Sequence, residues 1–109
     1  LGDVYKRQRL FSEPLVQPEA VVCADDTIAF GMMVALHALG LRVPQDVLIV
    51  GYNDSPIAST TMPTLTSVRP PFQQIVSEAL RLIALGPEHP AHVSLPPQLI
   101  VRDSTVVAR

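Results

Sequence analysis

Tryptophan is absent from this 109-residue sequence, and cysteine occurs once, as Cys23. A single cysteine excludes an internal disulfide and a multi-cysteine metal site, and it fits a reducing cytosol. A basic excess is also missing: 8 Lys and Arg stand against 10 Asp and Glu, for a net charge of −2 and a pI near 5.8. Nucleic-acid modules carry a basic patch or stripe, so this segment by itself is not expected to bind DNA. No apolar run approaches the roughly 20 residues of a membrane span. The first residues lack the hydrophobic core of a signal peptide. A glycine-rich phosphate loop and a spaced Ser/His/Asp set are absent too, so an enzyme is not expected and no cofactor is called for.

What is present is apolar. Hydrophobic residues make up 48% and the mean hydropathy is +0.31. A chain of this length is the size of one domain. Its surface-to-volume ratio is high, so the apolar excess is expected to form faces meant for further chain or for a partner subunit. Asp3-Val4-Tyr5-Lys6-Arg7-Gln8 matches the translation of a transposase-end adapter used in preparing sequencing libraries. Residues 1–8 are therefore read as a foreign scar and set aside, with a natural basic amphipathic start as the other reading. On the scar reading the natural protein continues upstream of Arg9. Residues 107–109 are read as a tail.

Ala20-Val21-Val22-Cys23-Ala24 is a short apolar run, as expected of a strand buried on both faces. Asp25-Asp26-Thr27 supplies helix-capping chemistry, because a carboxylate can accept from free backbone N–H groups. The periodicity predicts a helix from about Thr27 to Leu39, with Gly40 suited to the left-handed position after it. Asp46 to Gly51 reads as a second buried strand. Strand, helix and strand over about thirty residues form a βαβ unit, which requires parallel strands. Residues 57–63 read as a short helix or loop and Leu65 to Arg69 as a strand. Pro71 then opens a helix whose apolar face is Phe72, Ile75, Val76, Ala79, Leu80 and Ile83, ended by Gly86-Pro87. Val93 to Leu95 and Gln98 to Arg102 read as short strands.

The 27–39 helix has almost no polar face: Ile28, Ala29, Phe30, Met32, Met33, Val34, Ala35, Leu36, Ala38 and Leu39 are apolar. A helix apolar all round is buried all round. One reading is a subunit interface in which Phe30 and Met33 pack across a two-fold axis, since Met and Phe are enriched in interface cores. The other is a central helix of a larger domain.

Two polar clusters follow the two strands: Asp25-Asp26 and Asn53-Asp54. Ligands of open α/β sheets bind outside the carboxyl ends of the strands, so both clusters fall on one rim. Carboxylates and an amide there can hydrogen-bond a polyhydroxylated or heterocyclic ligand. Asp25 and Asn53 lead this set. Asp26 and Asp54 belong to it as well, or else cap a helix and make a turn. Three carboxylates could also hold Mg²⁺ with waters, as in a phosphoacceptor receiver. That site needs a Lys on a later strand end, and none is present. His37 lies within the apolar helix and His89 and His92 lie in a loop, and all three read as structural. Cys23 reads as a small hydrophobe.

Ordered motifs then point to a family. Ala20 to Gly31 resembles the apolar strand, Ala-Asn-Asp and small-residue helix of the lactose-repressor (LacI/GalR) family. Leu39-Gly40-Leu41-Arg42-Val43-Pro44-Gln45-Asp46-Val47 resembles its Gly-Leu-x-Val-Pro-x-Asp-Val connector. Val50-Gly51-Tyr52-Asn53-Asp54 is similar to its Val-Gly-Tyr/Phe-Asp-Asp. Pro63 to Arg69 and Leu95 to Thr105 resemble its Pro-x-Leu-Thr-Thr-Val-x and closing Leu-x-x-x-Leu-Val-x-Arg-x-Ser-Thr stretches. These motifs run in order across residues 18 to 106.

The resemblance implies an α/β, type I periplasmic-binding-protein-like fold with two Rossmann-like subdomains. Residues 9–106 would be the C-terminal portion of the effector-binding domain, and the helix at 72–85 would belong to the other subdomain. It implies a cytoplasmic homodimer that binds a small effector, often a sugar or nucleobase compound, and operator DNA through an N-terminal helix-turn-helix outside this segment. Asp25 takes the place of the family's effector-contacting Asn, and Asn53 that of an Asp that commonly bonds the effector. Phe72 falls where some members place a ring beside the ligand, and Phe30 and Thr61 fall on the dimer face. The exchange at 25 and 53 swaps donor and acceptor capacity, and Pro70 replaces a Gln that reaches ligand in some members. A secreted sugar-binding protein of the same fold is the alternative.

Overall fold

The computed structural model describes residues 17–108, so the segment read as a scar lies outside the described residues. In chain order the elements are β1 (Ala20–Val22), α1 (Asp26–Ala38), β2 (Leu48–Tyr52), a 3₁₀ turn at Pro56–Ser59, β3 (Thr66–Arg69), α2 (Phe72–Leu85), β4 (Gln98–Ile100) and a 3₁₀ turn at Asp103–Thr105. One four-stranded sheet runs β1-β2-β3-β4. β1 and β3 each pair with β2 in parallel, with Val22 opposite Val50 and Val50 opposite Thr66. The βαβ reading therefore stands. β4 returns antiparallel to β3, with Val68 opposite Leu99.

α1 forms where expected, and Gly40 takes the left-handed conformation after it (φ 73°). The helix lays Ala29, Met32, Met33 and Leu36 on Cys23, Val47, Ile49, Ala58 and Leu65 to make the core. It is not buried all round, however. Phe30, Val34 and Leu39 are exposed, because the sheet meets only one side of it. The expectation of strands buried on both faces fails for a related reason. β1 is the edge strand, and Val22 is 74% exposed on the face away from α1. A parallel sheet is covered on both faces only when helices lie on each, and none of the residues of α2 is buried. Its stripe of Phe72, Ile75, Val76, Leu80 and Ile83 stands open.

Several strands differ from the expectation: β3 begins at Thr66 and β4 ends at Ile100. β2 begins at Leu48, two residues after Asp46, because Asp46 turns back to the connector: its carboxyl accepts from the Arg42 backbone N–H (2.7 Å) and from Arg42 Nε (3.0 Å). Val93 to Leu95 is not a strand. The adjoining Pro96 and Pro97 have no N–H to give a ladder.

Candidate functional site

The parallel pairing sets the rim. The Cys23 N–H reaches Val50 O (2.8 Å), which continues the β1–β2 ladder past the last paired residues. Asp25 and Asn53 each stand three residues beyond the Val22–Val50 pair, so they leave the sheet at the same edge. β3 ends there too, and Pro70-Pro71 carries the chain from it to Phe72. A concavity of about 370 Å³ opens at this point, lined by Arg69 to Gln74. Phe72 is half-exposed beside it.

The four acidic and amide residues of the rim have different occupations. Asp25 is the N-cap of α1: its Oδ1 accepts from the Ile28 N–H at 2.7 Å. This satisfies one of the free amides of the first turn and leaves Oδ2 available. Asp26, one residue inside the helix, is fully buried. Its Oδ1 accepts from Ser67 Oγ on β3 (2.6 Å) and its Oδ2 from the Ser55 N–H (2.6 Å). Asp26 thus ties α1 to β3 and to the loop after β2, with neither oxygen left for a ligand in this structure. Gly51 lies beneath it, and a Cβ at that position would overlap Asp26 Oδ1. The glycine is there because the carboxyl occupies its side-chain space.

Asn53 and Asp54 both have positive φ, 94° and 50°. Asn and Asp tolerate this region better than most residues. The Asn53 N–H donates to Val68 O (2.8 Å) and the Asp54 N–H to Ser67 Oγ (2.9 Å). The Asn53 side chain is exposed. The Asp54 side chain is only 6% exposed and lies between two arginines: Arg69 Nη2 is 2.6 Å from Oδ2, and Arg102 Nη2 is 2.7 Å from Oδ1. Burial pushes the Asp54 carboxyl up, but Arg102 and Arg69 together pull it down by more, so it sits below the usual carboxylate range. The sign of the pH effect follows. A carboxyl lowered on folding contributes stability above its unfolded pKa of about 4, and that contribution is lost as pH falls through the folded value. Urea midpoints measured from pH 7 to pH 2.5 are expected to fall on the acid side. Asp54→Asn is expected to flatten that fall, and an unchanged acid slope in Asp54→Asn would refute the assignment.

The residues placed on the dimer face separate as well. Phe30 is exposed, Thr61 is half-buried next to the almost fully exposed Met62, and Met33 is 8% exposed within the core cluster. A second concavity, about 420 Å³, lies beyond the amino ends of the strands between Met33, His37, Leu41 and Met62. It is remote from Asp25 and Asn53. His89 and His92 remain in the loop after α2. No group of three His, Cys, Asp or Glu among the described residues is arranged to hold a metal ion, and no described helix is long and apolar enough to cross a membrane.

Sequence reasoning did not find Ser67, Arg69 or Ser104 as members of the scaffold. Ser104 is buried; its Oγ donates to Ile49 O (2.6 Å) and accepts from the Thr66 N–H (2.8 Å), which locks the last turn onto β2 and β3. The only signal was the unusual run of small polar residues at Thr66-Ser67 in an otherwise apolar chain.

The family model for the periplasmic binding protein-like domain matches residues 2–105. The chain is 43% identical over 93 residues to the HTH-type transcriptional regulator MalR of Streptomyces coelicolor, covering 82% of this chain and 27% of that protein. It is 36% identical over 92 residues to the lactose operon repressor of Rhizobium radiobacter, covering 82% of this chain and 81% of that sequence. Its fold superposes on the lac repressor dimer bound to operator and the anti-inducer ONPF with a TM-score of 0.81 at 30% identity, covering 96% of this chain and 32% of that one. It spans about a quarter of the length of MalR. These relatives are transcriptional regulators. With the parallel βαβ core and its ordered motifs, the matches show that the chain belongs to the lactose-repressor (LacI/GalR) family, as the C-terminal part of that family's periplasmic-binding-protein-like effector-binding domain.

Proposed function

We propose that this segment is the sensor portion of a repressor-type, DNA-binding transcription regulator, and that it binds a small effector, a sugar or a nucleobase-type metabolite, at the Asp25–Asn53 rim. The observation that carries the reading is the placement of those two residues at one sheet edge by adjacent parallel strands. Asp25 contributes a carboxyl with one uncommitted oxygen, and Asn53 an exposed amide that can both donate and accept. Phe72 supplies an apolar surface on the third strand end. Asp26 and Asp54 serve this site as its supports. A second lobe faces the rim and packs on the open stripe of α2, which belongs to that lobe. Effector binding between the lobes shifts the population competent for operator binding, and the operator shifts effector affinity by the same factor. Operator contact is made by a helix-turn-helix outside this segment. Homodimer contact is made by the exposed end of the face formed by Phe30, Thr61 and Met62, with Met33 beneath it.

A thermal-shift screen of sugars and nucleobases on the full-length protein identifies the effector. Asp25→Ala and Asn53→Ala are each expected to weaken its binding at least about tenfold, the loss of one good hydrogen bond to a ligand. Melting temperatures are expected to fall for both, because Asp25→Ala loses a cap and Asn53→Ala puts an alanine at positive φ. Unchanged affinity in both variants would sink the site. Sedimentation of the same protein checks the dimer.

A further inference from the structure

Asp54 follows Asn53 directly, and its two arginines come from different places. Arg102 precedes the closing 3₁₀ turn and also donates through Nη1 to Leu65 O (2.8 Å), which ties it to the entry of β3. Arg69 is the last residue of β3, and its backbone runs through Pro70 and Pro71 into α2. Proline rings lock φ, and the Phe72 N–H donates to Pro70 O at 2.9 Å. The crossover is therefore a stiff segment rooted at Arg69. Arg69 grips the same carboxyl oxygen, Oδ2, with both Nε (2.7 Å) and Nη2 (2.6 Å).

On the other side of the ion pair, two consecutive non-glycine residues are held at positive φ. Such conformations persist only where the surroundings over-determine them. Here the hold comes from Val68 O on the Asn53 N–H, Ser67 Oγ on the Asp54 N–H, and Asp26 Oδ2 on the Ser55 N–H. The loop is pinned at its backbone to β3 and α1, and at its one buried side chain to the root of the crossover. The Asn53 side-chain amide is left exposed, with no hydrogen bond among the described residues.

We infer that the Arg69–Asp54 ion pair is a joint between the candidate effector contact and the interlobe crossover, with Arg69 and Asp54 acting as positioning residues that hold the Asn53 loop and the root of α2 in one fixed relation. Displacement of the crossover as the lobes close is felt at Asn53, and a ligand drawing on Asn53 is felt at α2. The pair is half-exposed on the Arg69 side and needs no ligand to form. Its role in sensing rests on the effector-site reading of Asn53. Because Arg102 stays on Oδ1, removing Arg69 does not leave the carboxyl alone.

The test uses the full-length regulator labelled with ¹⁵N at asparagine and phenylalanine, with no ligand added. The Asn53 backbone and side-chain crosspeaks and the Phe72 backbone crosspeak are assigned by their loss in Asn53→Ser and Phe72→Leu. Arg69→Met is expected to shift or broaden both residues' signals by more than a line width, and Arg69→Lys to return them toward their original positions. Arg102→Met is expected to lower the melting temperature and leave Phe72 in place. If Arg69→Met does not fold, Asp54→Asn takes its place, and both residues' signals must again move. The joint is overturned if either residue's signals stay within a line width, if lysine restores nothing, or if Arg102→Met moves Phe72 as far as Arg69→Met does. Since no ligand enters, moved crosspeaks together with an empty effector screen would remove the sensing role and leave the joint intact.

Discussion

Gly51→Ala is expected to destabilise the protein by about 3 kcal/mol, at the upper end of what overpacking a closed site costs. The added methyl would overlap Asp26 Oδ1 and come within 3.0 Å of Leu65 Cδ2. The leucine tip can turn aside. The carboxyl cannot, because Ser67 Oγ and the Ser55 N–H hold its two oxygens at 2.6 Å each. Relief requires β2 to move away from α1 or the carboxyl to give up a partner, and either opens the rim. Urea unfolding of the full-length protein reads this as a lower midpoint at unchanged slope. A midpoint within error of the parent would show that the Gly51 site has room the structure does not grant it.

Asp26→Ala is expected to cost a similar amount, about 3 kcal/mol, by the opposite route. Nothing clashes, but the Ser55 N–H and Ser67 Oγ both lose their acceptor. Each buried donor left unpaired costs about 1–3 kcal/mol, offset where water enters. The two variants share one cause, so they must couple. In the Asp26→Ala background the space beside Gly51 is empty, and Gly51→Ala should add about 1 kcal/mol or less. The double variant is then more stable than the sum of the single losses by at least about 1 kcal/mol, within the range of interaction energies between touching residues. Strict additivity would mean that Gly51 is required for some reason other than the Asp26 carboxyl.

The coupling also bears on function. Asp26 and Asp54 looked like ligand residues because they sit beside Asp25 and Asn53 in two polar clusters. Their surroundings make them supports: one is buried on serine and backbone donors, the other lies between two guanidiniums. A conservative Asp26→Asn keeps the volume, and with its oxygen on the Ser55 N–H its NH2 group can donate to Ser67 Oγ, whose hydroxyl also accepts, so it is expected to cost less than alanine.

Adjacent residues thus divide into a half-used cap that keeps a free oxygen, Asp25, and a fully committed tie, Asp26. The sequence alone could not separate them, because helix capping predicts only that some side-chain oxygen sits ahead of the first turn. The choice between the two positions depends on where α1 starts by a single residue, and the tie that Asp26 makes there is to Ser67, 41 residues further along the chain.

The elements that were legible are those whose causes are local. The apolar run before Asp25, the helical spacing to Leu39, the left-handed Gly40, the second run up to Gly51 and the double proline before Phe72 each act within a few residues of their own position. The βαβ connection then forces parallel pairing, and with it the shared edge for Asp25 and Asn53. Val93 to Leu95 was misread because three apolar or small residues have no strand identity without a neighbour to pair with. What only the tertiary structure decided is partnership and exposure: Gly51 under Asp26, Ser67 beneath the rim, Arg69 and Arg102 on Asp54, Met33 inward while Phe30 faces out, and the bare outer face of β1. Each of these is set by the register of strands far apart in sequence and by which face a helix covers. Those relations arise only when the chain closes on itself, so no spacing along it could encode them for a reader of one sequence.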